Sequence, residues 1–171
     1  MVALGSDRSV HGSPDRWIAG EIAFLRRAHD ARVPILGLCF GAQALAAALG
    51  ATVMRAPFRE IGWIELDAPS GGPLERGPWF AWHEDAFTLP PGATELARSG
   101  AGVQGFRAGR STGLQFHPEV DPPIVGSWVE DGRRTLADAG IDAAALLEQT
   151  ARLAPAAGDR AIALFDALLS V

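Results

Sequence analysis

The stretch VPILGLCFGAQALAAALG at positions 33–50 constrains the fold of this chain more than any other. Positions 34–38 form a short, wholly apolar run, which is typical of a strand buried on both faces of a parallel sheet. Ala and Leu dominate positions 40–49 and predict a helix, and Gly50 stands where a C-terminal glycine cap belongs. A buried strand that leads directly into a helix predicts an α/β fold.

The turn between that strand and that helix has the pattern of a nucleophile elbow. Gly37, Cys39 and Gly41 fit the motif G-x-nucleophile-x-G, with cysteine as the nucleophile. Such a strained turn requires small neighbours, and it lifts the sulfur to the N-terminus of the helix. Unpaired N–H groups and the helix dipole there favour the thiolate. Cys39 is the only cysteine among 171 residues, which excludes an internal disulfide.

Length and composition limit the class of protein. With 171 residues and 48% hydrophobic content, a single domain spanning residues 1–171 is expected. The net charge of −5 and the scattered basic residues argue against a nucleic-acid partner. The sequence shows neither an apolar run long enough for a membrane span nor a signal-peptide pattern, so we predict no membrane partner and a cytoplasmic location.

The remaining elements follow the order β-α-β-α and then a strand-rich region, which favours a mostly parallel sheet. Ser13-Pro14 forms a helix-start pair for a helix over residues 15–31. His83 is predicted to lie in a loop that follows a strand over residues 79–82. The other predicted segments are a strand over 1–4, extended structure over 51–68, a turn at 70–73, strands at 95–97, 103–107 and 112–116 (the last two as a hairpin), and helices over 124–139, 142–153 and 157–169. We expect a catalytic core over about 1–120 and a helical tail over about 121–171.

A cysteine nucleophile needs a base, and the base needs an acceptor that orients it. Among the four histidines, His117 ends an apolar strand and has Glu119 two residues later, so Glu119 can bind one imidazole nitrogen while the other faces the thiolate. Two roles remain open for His83: a loop contact to the substrate, or a structural hydrogen bond. No His or Cys pair has metal-ligand spacing, and no phosphate- or dinucleotide-binding glycine motif is present, so neither a metal nor a cofactor is predicted.

The segments GLCFGAQ and, some 75 residues later, GLQFHPEV together resemble the two signatures of class I (triad-type) glutamine amidotransferases. Positions 4–10 are similar to the G-G-P loop of that family. Glu60-Ile61-Gly62-Trp63 and positions 82–90 look like its stand-alone, GMP-synthase-like branch. The resemblance covers about residues 1–120 and implies a flavodoxin-like three-layer αβα fold with a mostly parallel sheet.

The resemblance also implies a role for each matching residue. Cys39 would attack the side-chain amide of L-glutamine, His117 would act as general acid and base, and Glu119 would orient His117. The backbone N–H groups of Phe40 and Ser6 would hold the oxyanion. The substrate-binding positions would be Gln43, Gly5 and His83. The chain would act either alone or by passing ammonia to a partner; any acceptor, such as a synthetase subunit, would lie on another polypeptide.

The chain departs from the family pattern in two places. The loop reads Gly5-Ser6-Asp7 where the family has Gly-Gly-Pro, which places a Cβ beside the expected oxyanion site. Family members also have two further strand–helix units before this loop. We therefore expect that the chain is N-terminally shortened, by a misplaced start or a truncation.

Three other functions remain open. The same triad could hydrolyse γ-glutamyl peptides or other γ-glutamyl amides. The related deglycase and intracellular-protease family ranks lower, because it typically has His after the nucleophile where this chain has Phe40. The third is a truncated, inactive relative that serves as a binding or regulatory subunit.

Overall fold

The computed structural model describes residues 1–12, 15–69, 72, 74 and 77–169. The predicted Ser13-Pro14 helix start and most of the predicted turn at 70–73 lie outside the described residues. In chain order the elements are β1 (Val2–Ala3), α1 (Arg16–Asp30), β2 (Ile35–Leu38), α2 (Phe40–Ala48), β3 (Val53–Glu65), β4 (Pro78–Phe87), β5 (Thr94–Ser99), β6 (Gly102–Ala108), β7 (Ser111–Leu114), α3 (Pro122–Asp131), α4 (Arg133–Asp138) and α5 (Ala143–Leu169).

The central sheet has the strand order β1-β2-β7-β6-β5. Strand β2 pairs in parallel with β1 and with β7, in a register that places Leu38 opposite Leu114. Strand β6 is antiparallel to both of its neighbours, and the predicted hairpin between β6 and β7 is present. Four of these strands therefore run in one direction, which confirms the prediction of an α/β fold with a mostly parallel sheet. The carboxyl ends of β1, β2 and β7 meet at one edge, where ligands bind in such sheets.

Alternate side chains of β2 enter different cores, so both faces of the sheet are covered. Ile35 packs with Leu25 of α1 and Leu45 of α2. Leu36 packs on the other face with Leu164 of α5. This alternation is the reason that the strand is apolar at every position, and it produces three layers.

Strands β3 and β4 form a separate antiparallel ribbon. The prediction that His83 lies in a loop is wrong, because β4 continues through residues 83–85 to Phe87. The polar residues at 83–85 suggested a loop in the sequence. In the structure His83 is opposite Glu60 across the ribbon, and the two side chains pair with each other.

The C-terminal region is helical, as predicted, but its breaks lie elsewhere. The predicted helix over 124–139 is divided at Gly132, where an added Cβ would lie 2.5 Å from the indole of Trp82. The predicted break near residue 155 is absent, because α5 runs through Pro155. Buried residues of α5, among them Ala154, Ala157, Ala161 and Leu164, recur at helical spacing on both sides of that proline. Their packing outweighs the hydrogen bond that proline removes.

Candidate active site

The turn after β2 has the strained conformation that the elbow pattern predicts. Cys39 is the N-cap of α2 and has φ 49° and ψ −108°, an uncommon backbone conformation for a residue with a side chain. Its N–H donates a 2.8 Å hydrogen bond to the carbonyl of Leu114 on β7. An added Cβ at Gly37 would lie 2.6 Å from the carbonyl oxygen of Gly41, and one at Gly41 would lie 2.1 Å from that of Ala3. The two glycines are therefore required by close backbone approach.

His117 and Glu119 lie beside this elbow. The Nδ1 atom of His117 is 2.7 Å from Oε1 of Glu119, which leaves Nε2 as the ring nitrogen for the hydrogen bond with Cys39. Burial lowers the pKa of His117, but the charge of Cys39, the hydrogen bond with it and the contact with Glu119 raise that pKa to about 10. The structure thus brings together the three residues predicted as a triad, with a protonated imidazole between two acidic groups.

Two further groups contact the sulfur of Cys39, and the sequence analysis missed one of them. Nε2 of the fully buried Gln115 lies 3.7 Å from Sγ, and the carbonyl oxygen of Trp82 lies 3.9 Å from it. The oxygen of Gln115 accepts a 3.2 Å hydrogen bond from Nε2 of Gln43, the predicted substrate-binding residue. The period-two alternation of an extended chain could have found Gln115, since it places Gln115 on the same side as His117.

The loop after β1 lies against the elbow and the imidazole. An added Cβ at Gly5 would lie 3.3 Å from Cε1 of His117 and 3.8 Å from Cβ of Cys39. The carbonyl of Leu4 accepts a 3.1 Å hydrogen bond from the N–H of Gly41. Ser6 is exposed, and its hydroxyl accepts a 3.1 Å hydrogen bond from the N–H of Arg8. The oxyanion roles of the Ser6 and Phe40 amides, and the substrate contacts of Gly5 and Gln43, stay predictions.

His83 belongs to a buried polar network. Its side chain is 1% exposed, with Nδ1 3.1 Å from the carbonyl oxygen of Asp85 and Nε2 3.1 Å from Oε2 of Glu60. The same carboxylate oxygen accepts hydrogen bonds from Ser99 and Gln104. Burial raises the pKa of Glu60, but these hydrogen bonds, that of His83 first, leave it below its ordinary value. Both nitrogens of His83 are engaged within the protein, and its substrate contact remains a prediction.

A tryptophan from the C-terminal helices also contacts the catalytic imidazole. The ring centroids of Trp128, on α3, and His117 are 4.7 Å apart, with the planes at 74°. Trp128 also packs edge-on against Trp82, with centroids 6.2 Å apart. The sequence analysis used no motif in this region. The one available signal is the cap Asp121, followed by two prolines, which starts α3 directly after Glu119 and keeps the helix near the site.

The model of the family "glutamine amidotransferase class-I" matches residues 10–127. The chain belongs to the class I glutamine amidotransferase family. Its crystallographically solved neighbours include a glutamine amidotransferase from Thermotoga maritima, with a TM-score of 0.89 and 29% identity over 99% of this chain and 78% of that one. A glutamine amidotransferase from Methylobacillus flagellatus has a TM-score of 0.84 and 25% identity, over 95% and 73% of the two chains. The family and the fold predicted from the two signatures are confirmed.

Curated relatives of this chain include glutamine-hydrolysing GMP synthases. The protein from Nocardia farcinica is 42% identical over 103 residues, which are 55% of this chain and 20% of the relative. The protein from Nitrosomonas eutropha is 34% identical over 127 residues, which are 64% of this chain and 24% of the relative. The chain thus spans about a quarter or less of the length of these relatives.

The described residues contain neither a metal-binding cluster nor a membrane-spanning helix. Among these residues, no group of three or more His, Cys, Asp or Glu side chains is placed to hold a metal ion. None of the helices, as far as the structure describes them, combines the length and apolarity needed to cross a membrane.

Proposed function

We propose that this chain hydrolyses the γ-amide of L-glutamine through a thioester on Cys39, giving glutamate and ammonia. One observation carries the proposal: a cysteine at the tip of a strained elbow is hydrogen-bonded to His117, whose Nδ1 is 2.7 Å from Glu119. Nucleophile, acid–base group and orienting carboxylate thus form one chain of contacts, which is the arrangement that acyl transfer needs. Membership of the class I glutamine amidotransferase family supports the choice of amide.

The reaction proceeds in two halves. The thiolate of Cys39 attacks the amide carbon, the C–S bond forms, and N–H groups of Phe40 and Ser6 hold the oxyanion. His117 gives its proton to the amide nitrogen, the C–N bond breaks, and ammonia leaves. His117 then takes a proton from water, whose oxygen attacks the thioester, and the C–S bond breaks to release glutamate. Each backbone donor to the oxyanion contributes about 10²–10³ in rate.

The direct test combines an assay with labelling. Purified protein is incubated with glutamine, and glutamate and ammonia are quantified; Cys39→Ala is the control and is expected to be inactive. The glutamine-analogue electrophile diazo-oxo-norleucine is expected to label Cys39, the only cysteine, as seen by peptide mass spectrometry. A folded protein that neither labels nor hydrolyses glutamine would favour the inactive relative.

The same assay decides between glutamine and γ-glutamyl peptides. Rates with glutamine and with γ-glutamyl dipeptides are compared at equal concentrations. We expect the higher kcat/KM for glutamine, and activity on the dipeptides alone would replace this proposal with a γ-glutamyl hydrolase.

We further propose that a separate synthetase receives the ammonia. The support is that the glutamine-hydrolysing GMP synthases extend far beyond the matching region, which is 20–24% of their length. The test mixes the chain with the synthetase region of such a relative and measures GMP formation with glutamine as nitrogen source. GMP formation that requires Cys39 is expected; hydrolysis without GMP formation would point to another acceptor.

A further inference from the structure

The imidazole of His117 is held on three sides. Glu119 binds Nδ1 at 2.7 Å, and the backbone of Gly5 lies against Cε1, where an added Cβ would be 3.3 Å away. The indole of Trp128 supplies the third contact, 4.7 Å between ring centroids. The Nε2 atom is left for Cys39. Because an imidazole turns readily about its Cβ–Cγ bond, a single hydrogen bond at Nδ1 does not by itself hold the ring.

Helix α3 presents Trp128 to this position because of how the helix packs. Val125 and Val129, one turn apart, are buried, and they fix the rotation of the helix about its axis. The half-buried Trp128 precedes Val129, and its ring packs on the core at Phe80 as well as on His117. Its indole is itself held by Trp82, whose carbonyl oxygen is 3.9 Å from the sulfur of Cys39.

We propose that Trp128 is a positioning residue, which holds the imidazole of His117 with Nε2 toward Cys39. The proposal rests on the proposed function, because it takes His117 as the acid–base group. On this view the C-terminal helices are part of the active site as well as a cover for the sheet.

The variants separate positioning from stability. Trp128→Phe keeps an aromatic ring, whereas Trp128→Leu keeps an apolar side chain without a ring. If Trp128→Leu does not fold, Trp128→Met is used in its place. Trp63→Leu is the control, because Trp63 packs on Phe80 and binds Thr150 of α5 without contacting His117. Both leucine variants are expected to lower Tm, so a purely structural role for Trp128 would make them behave alike.

The kinetic readout is the division between kcat and KM for glutamine. For Trp128→Leu we expect kcat to fall between about tenfold and hundredfold, with KM changed by less than about threefold, because misplacement of a reacting group acts on the chemical step. Trp128→Phe should recover most of kcat, and folded Trp63→Leu should keep the wild-type kcat. A wild-type kcat in Trp128→Leu, or an equal loss in Trp63→Leu, overturns the proposal.

A substrate-free readout separates this proposal from the proposed function. The imidazole of His117, which faces Cys39 and Glu119, is titrated by NMR in the wild type and in Trp128→Leu. We expect a lower pKa for His117 in the variant, because a ring that Trp128 no longer holds loses part of its contacts with Cys39 and Glu119, and those contacts raise its pKa. If the wild type proves inactive on glutamine, the function fails while this titration still tests the contact. Identical titrations in the two proteins overturn the positioning role.

Discussion

The side-chain nitrogen of Gln115 lies 3.7 Å from the sulfur of Cys39. The orientation of this amide is set by its other end, where the oxygen accepts a hydrogen bond from Gln43 on α2. The NH₂ group therefore points to the sulfur, where it can stabilise a thiolate before substrate arrives. Gln115 directly follows β7, and Gln43 lies on α2. A chain of polar contacts therefore runs from α2 through Gln43 and Gln115 to the sulfur of Cys39.

Replacing Gln115 with Leu removes this donor and is expected to slow the labelling of Cys39 by diazo-oxo-norleucine by about tenfold or more, since a hydrogen bond to a charged group contributes about 1.5–3 kcal/mol. The measurement is the rate of adduct formation by mass spectrometry. Gln104→Leu is the matched control, because Gln104 is equally buried but binds Glu60 rather than the sulfur. Equal labelling rates in Gln115→Leu and the wild type would contradict the role of this amide.

The protonation of His117 is expected to depend on Cys39. Burial lowers the pKa of His117, and the charge of Cys39, their hydrogen bond and Glu119 raise it to about 10. Cys39→Ser replaces the sulfur group whose charge and hydrogen bond raise the pKa of His117, so the lowering effect of burial is opposed less and the pKa of His117 falls. NMR titration of the imidazole in the two proteins measures the difference.

The same raised pKa sets the direction of pH effects. Because the folded value lies above the ordinary value of 6.5, the contribution of His117 to stability is fully present below about pH 6.5 and is lost as pH rises toward about 10. Proton donation to the leaving group is lost over that alkaline limb too. A wild-type kcat/KM profile that falls well below pH 10, with a titration of His117 to match, would contradict this assignment.

Local signals were strong enough to predict most of the site. The glycines of the elbow mark close backbone approaches, and Glu119 lies two residues from the histidine it binds, so both relationships are short-range in sequence. The meeting of Cys39 with His117 was implied by the resemblance of the two signatures, and the structure explains it: β2 and β7 run in parallel, so their carboxyl ends lie at one edge.

The features that were missed depend on packing between distant segments. Polar residues at 83–85 suggested a loop, and only the opposing strand shows that Glu60 pairs with His83. Pro155 suggested a helix end, whereas the apolar face of α5 holds the helix together across it. The contact of Trp128 with His117 also depends on how α3 packs, and no periodicity within α3 reveals it.

The close approach at Gly41 predicts a large loss of stability in Gly41→Ala. An added Cβ would lie 2.1 Å from the carbonyl oxygen of Ala3, so β1 or the elbow must move. We expect a loss of about 3 kcal/mol or more in the free energy of unfolding, on the scale of severe overpacking. Urea denaturation followed by circular dichroism measures it.

A second glycine provides the control for that substitution. Gly126 lies within α3 and has no atom within 4 Å of an added Cβ. Gly126→Ala is therefore expected to raise stability by about 0.5–1 kcal/mol through helix propensity alone. If the two alanine variants unfold at the same urea concentration, backbone crowding at the elbow is not the constraint.

The buried pair of Glu60 and His83 predicts an acid-sensitive contribution to stability. Burial raises the pKa of Glu60, but its hydrogen bonds, led by that of His83, lower the pKa by more, so the folded value lies below the ordinary value of 4.5. A lowered folded pKa means that the contribution is present above the unfolded value and is lost as pH falls through the folded value. Glu60→Gln should cost about 1.5–3 kcal/mol near pH 7, the range for hydrogen bonds to a charged group, and less near pH 3. Glu95→Gln makes the same chemical change in the exposed pair with Arg98 and should cost under about 1 kcal/mol. Urea denaturation of the wild type, Glu60→Gln and Glu95→Gln at both pH values measures these differences in the free energy of unfolding. If the loss of stability in Glu60→Gln is as large near pH 3 as near pH 7, the carboxylate charge is not what stabilises the ribbon.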